Sequence, residues 1–202
     1  DYRLFPSEGA SNYTEMLEDL KDRGLTEVLL IITDGLKGIK DACQSVYPKA
    51  DHQTCWVHIQ RNIAKLVRVN DRKEIMNLVK PLYKSEDYDS ALIKLEKLKD
   101  EILSRYPKVI KLLESNESLF SFYKYPMQIR SSIYTTNLVE GLNKQLKRQT
   151  KKKEQFPNEE SLERFVCNFF LDYNLRLGSR IHKGFGEVTS ELNEMFESRY
   201  KN

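Results

Sequence analysis

Apolar residues recur along this chain with two rhythms, and the change from one to the other divides it. Over residues 13–23, Met16, Leu17 and Leu20 fall at helical spacing, with Ser11 or Asn12 as N-cap and Gly24 as the stop. Val28-Leu29-Leu30-Ile31-Ile32 is continuous, apolar and rich in β-branched residues, which predicts a short strand buried on both faces. Thr33-Asp34-Gly35 ends it. Leu36, Ile39, Cys43 and Val46 predict a helix over 36–46, closed by Pro48. His52–Val57 reads as a second short strand, and His58 onward as a helix carrying Ile59, Ile63, Leu66 and Val67. Strand, helix, strand, helix at this spacing predicts an α/β unit with parallel strands.

Beyond residue 70 the period stays helical. Leu78, Val79 and Leu82 form one stripe, Leu92, Leu95, Leu98 and Leu103 a second, and Val109, Ile110, Leu112 and Leu113 a third, with Pro81 and Pro107 as punctuation. No run alternates with period two, so residues 71–125 read as an all-helical block. A further helix is predicted over 134–149, with Leu138, Leu142 and Leu146 as its buried stripe. Another, capped by Asn158 or Ser161, turns Leu162, Phe165, Val166 and Phe169 inward, and a short amphipathic helix spans 187–200.

A length of 202 residues suits one large domain or a domain plus an insertion. No apolar run approaches the roughly 18 residues of a membrane span. Asp1-Tyr2-Arg3-Leu4-Phe5 has the character of neither a signal nor a transit peptide, and the absence of an initiator Met suggests a fragment. Three widely spaced cysteines (43, 55 and 167) argue against a disulfide scaffold and for a reducing cytoplasm. The Tyr and Phe residues stand mostly at helical apolar positions and read as packing, and Trp56 as core.

The net charge of +3 conceals strong local terms. Residues 52–70 carry three basic residues and no acid, and residues 130–153 seven basic residues and one acid. Residues 1–51 and 154–202 are net acidic. Two distant basic segments that meet in space make a basic groove, the footprint of a nucleic-acid binder.

Asp34 follows the apolar strand, at the end where parallel α/β sheets collect ligands. Its carboxylate can reach a metal ion, or it can serve as a turn residue or cap before Gly35. On a helix at about 100° per residue, Glu140 shares a face with Asn137, Asn143, Lys144, Lys147, Arg148 and Lys151, opposite the apolar stripe. Two readings stand: a solvated face with a weak Glu140–Lys144 pair worth about 0.3–0.5 kcal/mol, or a metal-binding carboxylate beside a track of phosphate contacts. Residues 144–153 hold six cations and no acid, which is lopsided for a solvated face. Cys55 and His58 form Cys-x-x-His, preceded by His52. Closed zinc sites need about four ligands, and only Cys43 is near in sequence, so zinc is disfavoured. His58, Arg61, Asn62 and Lys65 lie within two helical turns, which favours contact with a nucleic-acid backbone.

Three ordered motifs carry a family resemblance. Ile32-Thr33-Asp34-Gly35-Leu36-Lys37-Gly38-Ile39 resembles the second-aspartate motif of the Mutator-type bacterial insertion-sequence transposases. His52-Gln53-Thr54-Cys55-Trp56-Val57-His58-Ile59-Gln60-Arg61-Asn62 is similar to their Gln-x-Cys-x-x-His…Arg-Asn segment. Residues 133–151, from Ile133-Tyr134-Thr135-Thr136-Asn137 through Glu140 to Lys151, resemble their glutamate helix, followed by Phe156-Pro157-Asn158.

The resemblance implies an α/β, ribonuclease H-like catalytic fold of the Asp-Asp-Glu type, incomplete at its N-terminus, with an all-helical insertion. Residues 1–70 would form the first catalytic part, 71–130 the insertion and 131–202 the second part. Asp34 and Glu140 would be the second and third acidic ligands of Mg²⁺ (Mn²⁺ as substitute) in a two-metal site. Cys55, His58, Arg61, Asn62, Asn137, Asn143, Lys144, Lys147, Arg148 and Lys151 would contact DNA, both transposon ends and target. The protein is expected to work as a homo-oligomer, in the cytoplasm and on the nucleoid rather than at a membrane. Residues 1–5 resemble the tail of the family's third strand, which would place the first aspartate and the DNA-binding helices upstream. The family's Trp in the insertion has no counterpart in Ser115–Phe122, where Phe120 or Phe122 would take its place. The alternative expectation is a catalytically inactive, truncated DNA-binding remnant.

Overall fold

The computed structural model describes residues 9–36 and 38–201. Among them the fold is mostly helical, with one small parallel sheet. The expected strand at residues 1–5 lies outside the described residues.

The predicted strand–helix–strand–helix order is present. Helix α1 (Ala10–Asp22) starts a turn before the predicted span, after Gly9, with no side-chain cap. It ends at Gly24, whose φ of 103° is the left-handed conformation that terminates helices. Strand β1 (Leu30–Thr33), helix α2 (Ile39–Val46), strand β2 (Asp51–Thr54) and helix α3 (Trp56–Leu66) follow. The strands pair in parallel, Leu30 opposite Asp51 and Thr33 opposite Thr54. Strand β1 was expected to be buried on both faces, yet Leu30, Ile31 and Ile32 are only half-buried. An apolar run specifies an extended segment, but the number of layers over it is set elsewhere in the chain.

The block from 71 onward is helical, as its period predicts, but broken into short pieces. Helices α4 (Arg72–Val79), α5 (Tyr88–Ile102) and α6 (Pro107–Glu114) are joined through 3₁₀ turns and loops. Pro81 lies in the 3₁₀ turn after α4, and Pro107 starts α6, where its missing N–H costs nothing. The α5 stripe is rotated from expectation. Ala91, Leu95, Leu98 and Ile102 are buried, while Leu92 and Leu103 are exposed. Helix α7 (Met127–Ile133) was not anticipated from the sequence; it opens directly after Pro126.

Helix α8 (Asn137–Lys152) carries no buried residue. The expected buried stripe is therefore corrected: Leu138 is exposed, and Leu142 and Leu146 are half-buried. Spacing by four identifies an apolar face without supplying a partner for it. Helix α9 (Glu159–Leu177) is capped by Asn158, whose Oδ1 accepts from the Ser161 N–H at 2.8 Å. Of its four expected inward residues, Val166 is buried and the others are half-buried. Helix α10 (Thr189–Tyr200) completes the described chain.

The described residues form two compact units, one within residues 9–136 together with 188–201 and one of residues 137–187. The core of the first includes Trp56, Ile63, Leu82, Ile110 and Phe122, all fully or almost fully buried. Trp56, expected in the core, donates its indole N–H to the Leu119 carbonyl at 3.0 Å. Arg199 and Tyr200 of α10 bind the backbone of Leu29 and Val28 at the entrance to β1.

Candidate functional site

Asp34 is the first residue beyond β1. The loop turns sharply, and Gly35 and Gly38 both take left-handed φ, 85° and 84°, a conformation nearly closed to side-chain-bearing residues. One carboxylate oxygen, Oδ1, accepts from the Leu36 N–H at 3.2 Å. The turn role foreseen for Asp34 is thus real, and it fixes the side chain. The other oxygen makes no hydrogen bond among the described residues.

Half-buried Asp34 lines a pocket of about 210 Å³ together with Thr33, Lys40, His52, Thr54, Asn62 and Asn116, over a floor that includes Ile39, Ile59 and Leu112. Asn62, predicted from its place on α3, is thereby brought beside Asp34. His52 was weighed only as a zinc ligand beside Cys-x-x-His, and Thr54, Lys40 and Asn116 were not singled out. The parallel register sets Thr54 opposite Thr33 and His52 opposite Ile31, so β2 was open to inference once the pairing was known. Asn116 lies far along the chain and left no local signal.

His52 is 8% exposed, and its Nε2 pairs with the Thr33 hydroxyl at 2.8 Å. Its Nδ1 is buried without a hydrogen-bond partner. Burial, and then the charge of Lys40, push the imidazole below its ordinary 6.5, because both disfavour the cation. Lys40 reaches across to Glu117 at 3.0 Å in an exposed ion pair.

The Cys-x-x-His motif divides between inside and outside. Cys55 is 0% exposed, and its sulfur accepts from both the N–H and the hydroxyl of Thr136, each at 3.2 Å. Grouped with the DNA contacts in the sequence, it instead anchors the residue that precedes α8. His58 is half-buried and Arg61 exposed. The guanidinium of Arg61 lies 3.2 Å from His58 Nε2, and since Arg can only donate, this ring nitrogen is the acceptor. Neither residue lines the Asp34 pocket.

Glu140 stands in the first turn of α8, in the second unit. The helix is continuous from Asn137 to Lys152, so Asn137, Glu140, Asn143, Lys144, Lys147, Arg148 and Lys151 do share a face. Glu140 is half-buried and the other six are exposed. Among the described residues, no group of three or more His, Cys, Asp or Glu is clustered to hold a metal ion. Nor is any described helix long and apolar enough to cross a membrane.

The class that fold and site define is thus a mostly helical protein whose small parallel sheet presents a carboxylate pocket at its C-terminal edge. Comparison with known proteins sharpens this. The family described as "Transposase, Mutator family" matches residues 2–176, and the chain belongs to that family. It is 42% identical over 196 residues to the transposase for insertion sequence element IS905 of Lactococcus lactis subsp. lactis (strain IL1403), covering 97% of this chain and 50% of that protein. It is 41% identical over 167 residues to the transposase for element IS1201 of Lactobacillus helveticus, covering 82% and 45%. A probable transposase for an ISRM3-like element of Sinorhizobium fredii (strain NBRC 101917 / NGR234) is 33% identical over 157 residues, covering 77% and 39%. The chain spans about half the length, or less, of these relatives.

Proposed function

We propose that this chain is part of a metal-dependent DNA transposase that cleaves transposon ends and joins them to target DNA. Asp34 and Glu140 are acidic groups of a ribonuclease H-like catalytic domain, and residues 71–130 are its helical insertion. The observation that carries this reading is the Asp34 pocket in a chain of the transposase family. A carboxylate with one oxygen tied to its turn stands at the end of a parallel strand, among amide, hydroxyl, imidazole and ammonium groups.

The donor chemistry suits a hard cation. Magnesium binds through one or two carboxylates and keeps its remaining positions for water and substrate phosphate oxygens, so a site without a ready protein cage is compatible with it. Held by Asp34 and Glu140, Mg²⁺ or Mn²⁺ would supply activation of the attacking water or DNA 3′-hydroxyl and stabilisation of the leaving oxygen. The protein's own part is placement. The Leu36 N–H orients Asp34, and Cys55 holds Thr136, the residue before the Glu140 helix. Arg61, Lys144, Lys147, Arg148 and Lys151 are exposed cations suited to DNA phosphates, and Asn137 and Asn143 add amides. His58 supports Arg61 through the contact between them. Homo-oligomeric assembly on two transposon ends and work at the nucleoid in the cytoplasm belong to the same proposal.

The test is Glu140→Gln in the intact transposase that carries this segment. Strand transfer is expected to be abolished while transposon-end binding is retained; undiminished joining would overturn the assignment.

A further inference from the structure

Asn116 lies in the segment after α6, far in sequence from either strand, yet it lines the Asp34 pocket. Its side chain is held by its carbonyl end. Oδ1 accepts from the Thr54 hydroxyl at 3.1 Å and from the Ser118 N–H at 3.2 Å. A backbone N–H can only donate, so the Ser118 bond identifies this atom as the oxygen and leaves the amide nitrogen as the opposite end.

The segment itself is fastened to β2. Thr54 N–H donates to the Ser118 carbonyl at 3.0 Å. Gln53 Nε2 donates to the Leu119 carbonyl at 2.9 Å, and the Phe122 N–H donates to Gln53 Oε1 at 2.9 Å. The Asn116 amide is thus an immobilised donor beside Asp34. Lys40 and the Asn62 amide are further donors lining the pocket, and the His52 ring lines it with Nδ1 buried and without a partner. The acids to be reckoned with are Asp34 itself and Glu117, the ion-pair partner of Lys40.

We propose that the Asn116 amide nitrogen donates a hydrogen bond to a non-bridging phosphate oxygen of DNA bound in the Asp34 pocket. The helical block then contributes a substrate-contacting group to the site. A fixed neutral donor suits this place: it binds a phosphate oxygen without competing with a cation for the carboxylate, and its orientation costs nothing at the moment of binding. The inference rests on Asp34 being part of the DNA-processing site.

The variant that isolates the donor is Asn116→Asp. It keeps an oxygen for Thr54 and Ser118 and replaces the NH₂ with a second oxygen that repels phosphate. In the intact transposase, single-turnover cleavage of an oligonucleotide transposon end should fall at least tenfold, with the thermal midpoint near that of the parent. Replacing DNA phosphates one at a time by neutral methylphosphonates should narrow the gap between variant and parent at one position only. If Asn116→Asp also lowers the midpoint, that position-specific narrowing still decides, because a folding defect is indifferent to which phosphate is neutral. Cleavage at the parent's rate, or a gap that no substitution narrows, would overturn the proposal. Asp34→Asn, assayed alongside, separates the two levels. If it cleaves normally, the assignment of Asp34 fails; if it is inactive while Asn116→Asp is silent, only the role of Asn116 fails.

Discussion

A single amide shows how much one residue governs. Gln53 is fully buried in β2 and spends its side chain on three hydrogen bonds: Nε2 to the carbonyls of Thr54, at 2.7 Å, and Leu119, and Oε1 from the Phe122 N–H. Gln53→Leu keeps the bulk and strands a buried carbonyl and a buried N–H. At about 1–3 kcal/mol for each of the two unsatisfied groups, the loss should be roughly 2–6 kcal/mol. Urea unfolding measures it, and a loss below about 1 kcal/mol would show that the backbone finds other partners. The sequence announced Gln53 only as a motif position. A polar residue in a buried strand signals that it must have partners, but their identity depends on a segment some 65 positions away. Trp56 was legible as core because a large apolar ring has one good destination. Cys55 was not legible, since a thiol is equally at home as ligand, contact or packing, and only the position of Thr136 decides.

Among elements, α10 is a clasp on the sheet. Arg199 bonds Asp51 at the head of β2 at 2.8 Å, Lys124 reaches the same carboxylate at 2.6 Å, and the Tyr125 hydroxyl donates to it at 3.0 Å. Burial alone would raise the Asp51 carboxyl, but the bonds from Lys124, Arg199 and Tyr125 hold it below its ordinary 3.8. A carboxyl held below its unfolded value contributes stability that is complete above that value. The contribution is lost as pH falls through the folded one. Asp51→Asn should therefore unfold at a lower temperature than the parent at neutral pH, and the difference should close below about pH 4. A difference that does not shrink anywhere on the acid side of that value would refute the clasp. Elements long enough to show a period were readable: α1, α3, α8 and α10 all fall within a few residues of expectation. Helix α7 was not, because Met127–Ile133 covers barely two turns and no period can establish itself over so short a span. The breaks between α4, α5 and α6 were marked by Pro81 and Pro107, which stand in the 3₁₀ turn after α4 and at the start of α6.

For the whole molecule, charge and chain path matter more than any one contact. The cations of α8 stand exposed on the face that carries Glu140. If they hold DNA phosphates, each lost contact should flatten the dependence of log affinity on log salt by about 0.9. Lys147→Ala with Arg148→Ala should thus lower the slope by close to two. Fluorescence anisotropy across a salt series measures it, and an unchanged slope would remove these residues from the interface. The chain path adds a constraint in time. The Leu29 carbonyl accepts from the Asp51 N–H at 2.9 Å and from Arg199 at 2.6 Å, with the Tyr125 oxygen 2.6 Å away, while Tyr200 holds both backbone groups of Val28. The partners of one short strand are thus made at successive stages of synthesis. On the ribosome, where chain emerges at about 5–20 residues per second, the strand leading to Asp34 emerges well before the Arg199 that completes its bonding. A nascent chain that stalls before Arg199 has made both carboxylates of the proposed site, but the strand behind one of them still lacks its final fastening.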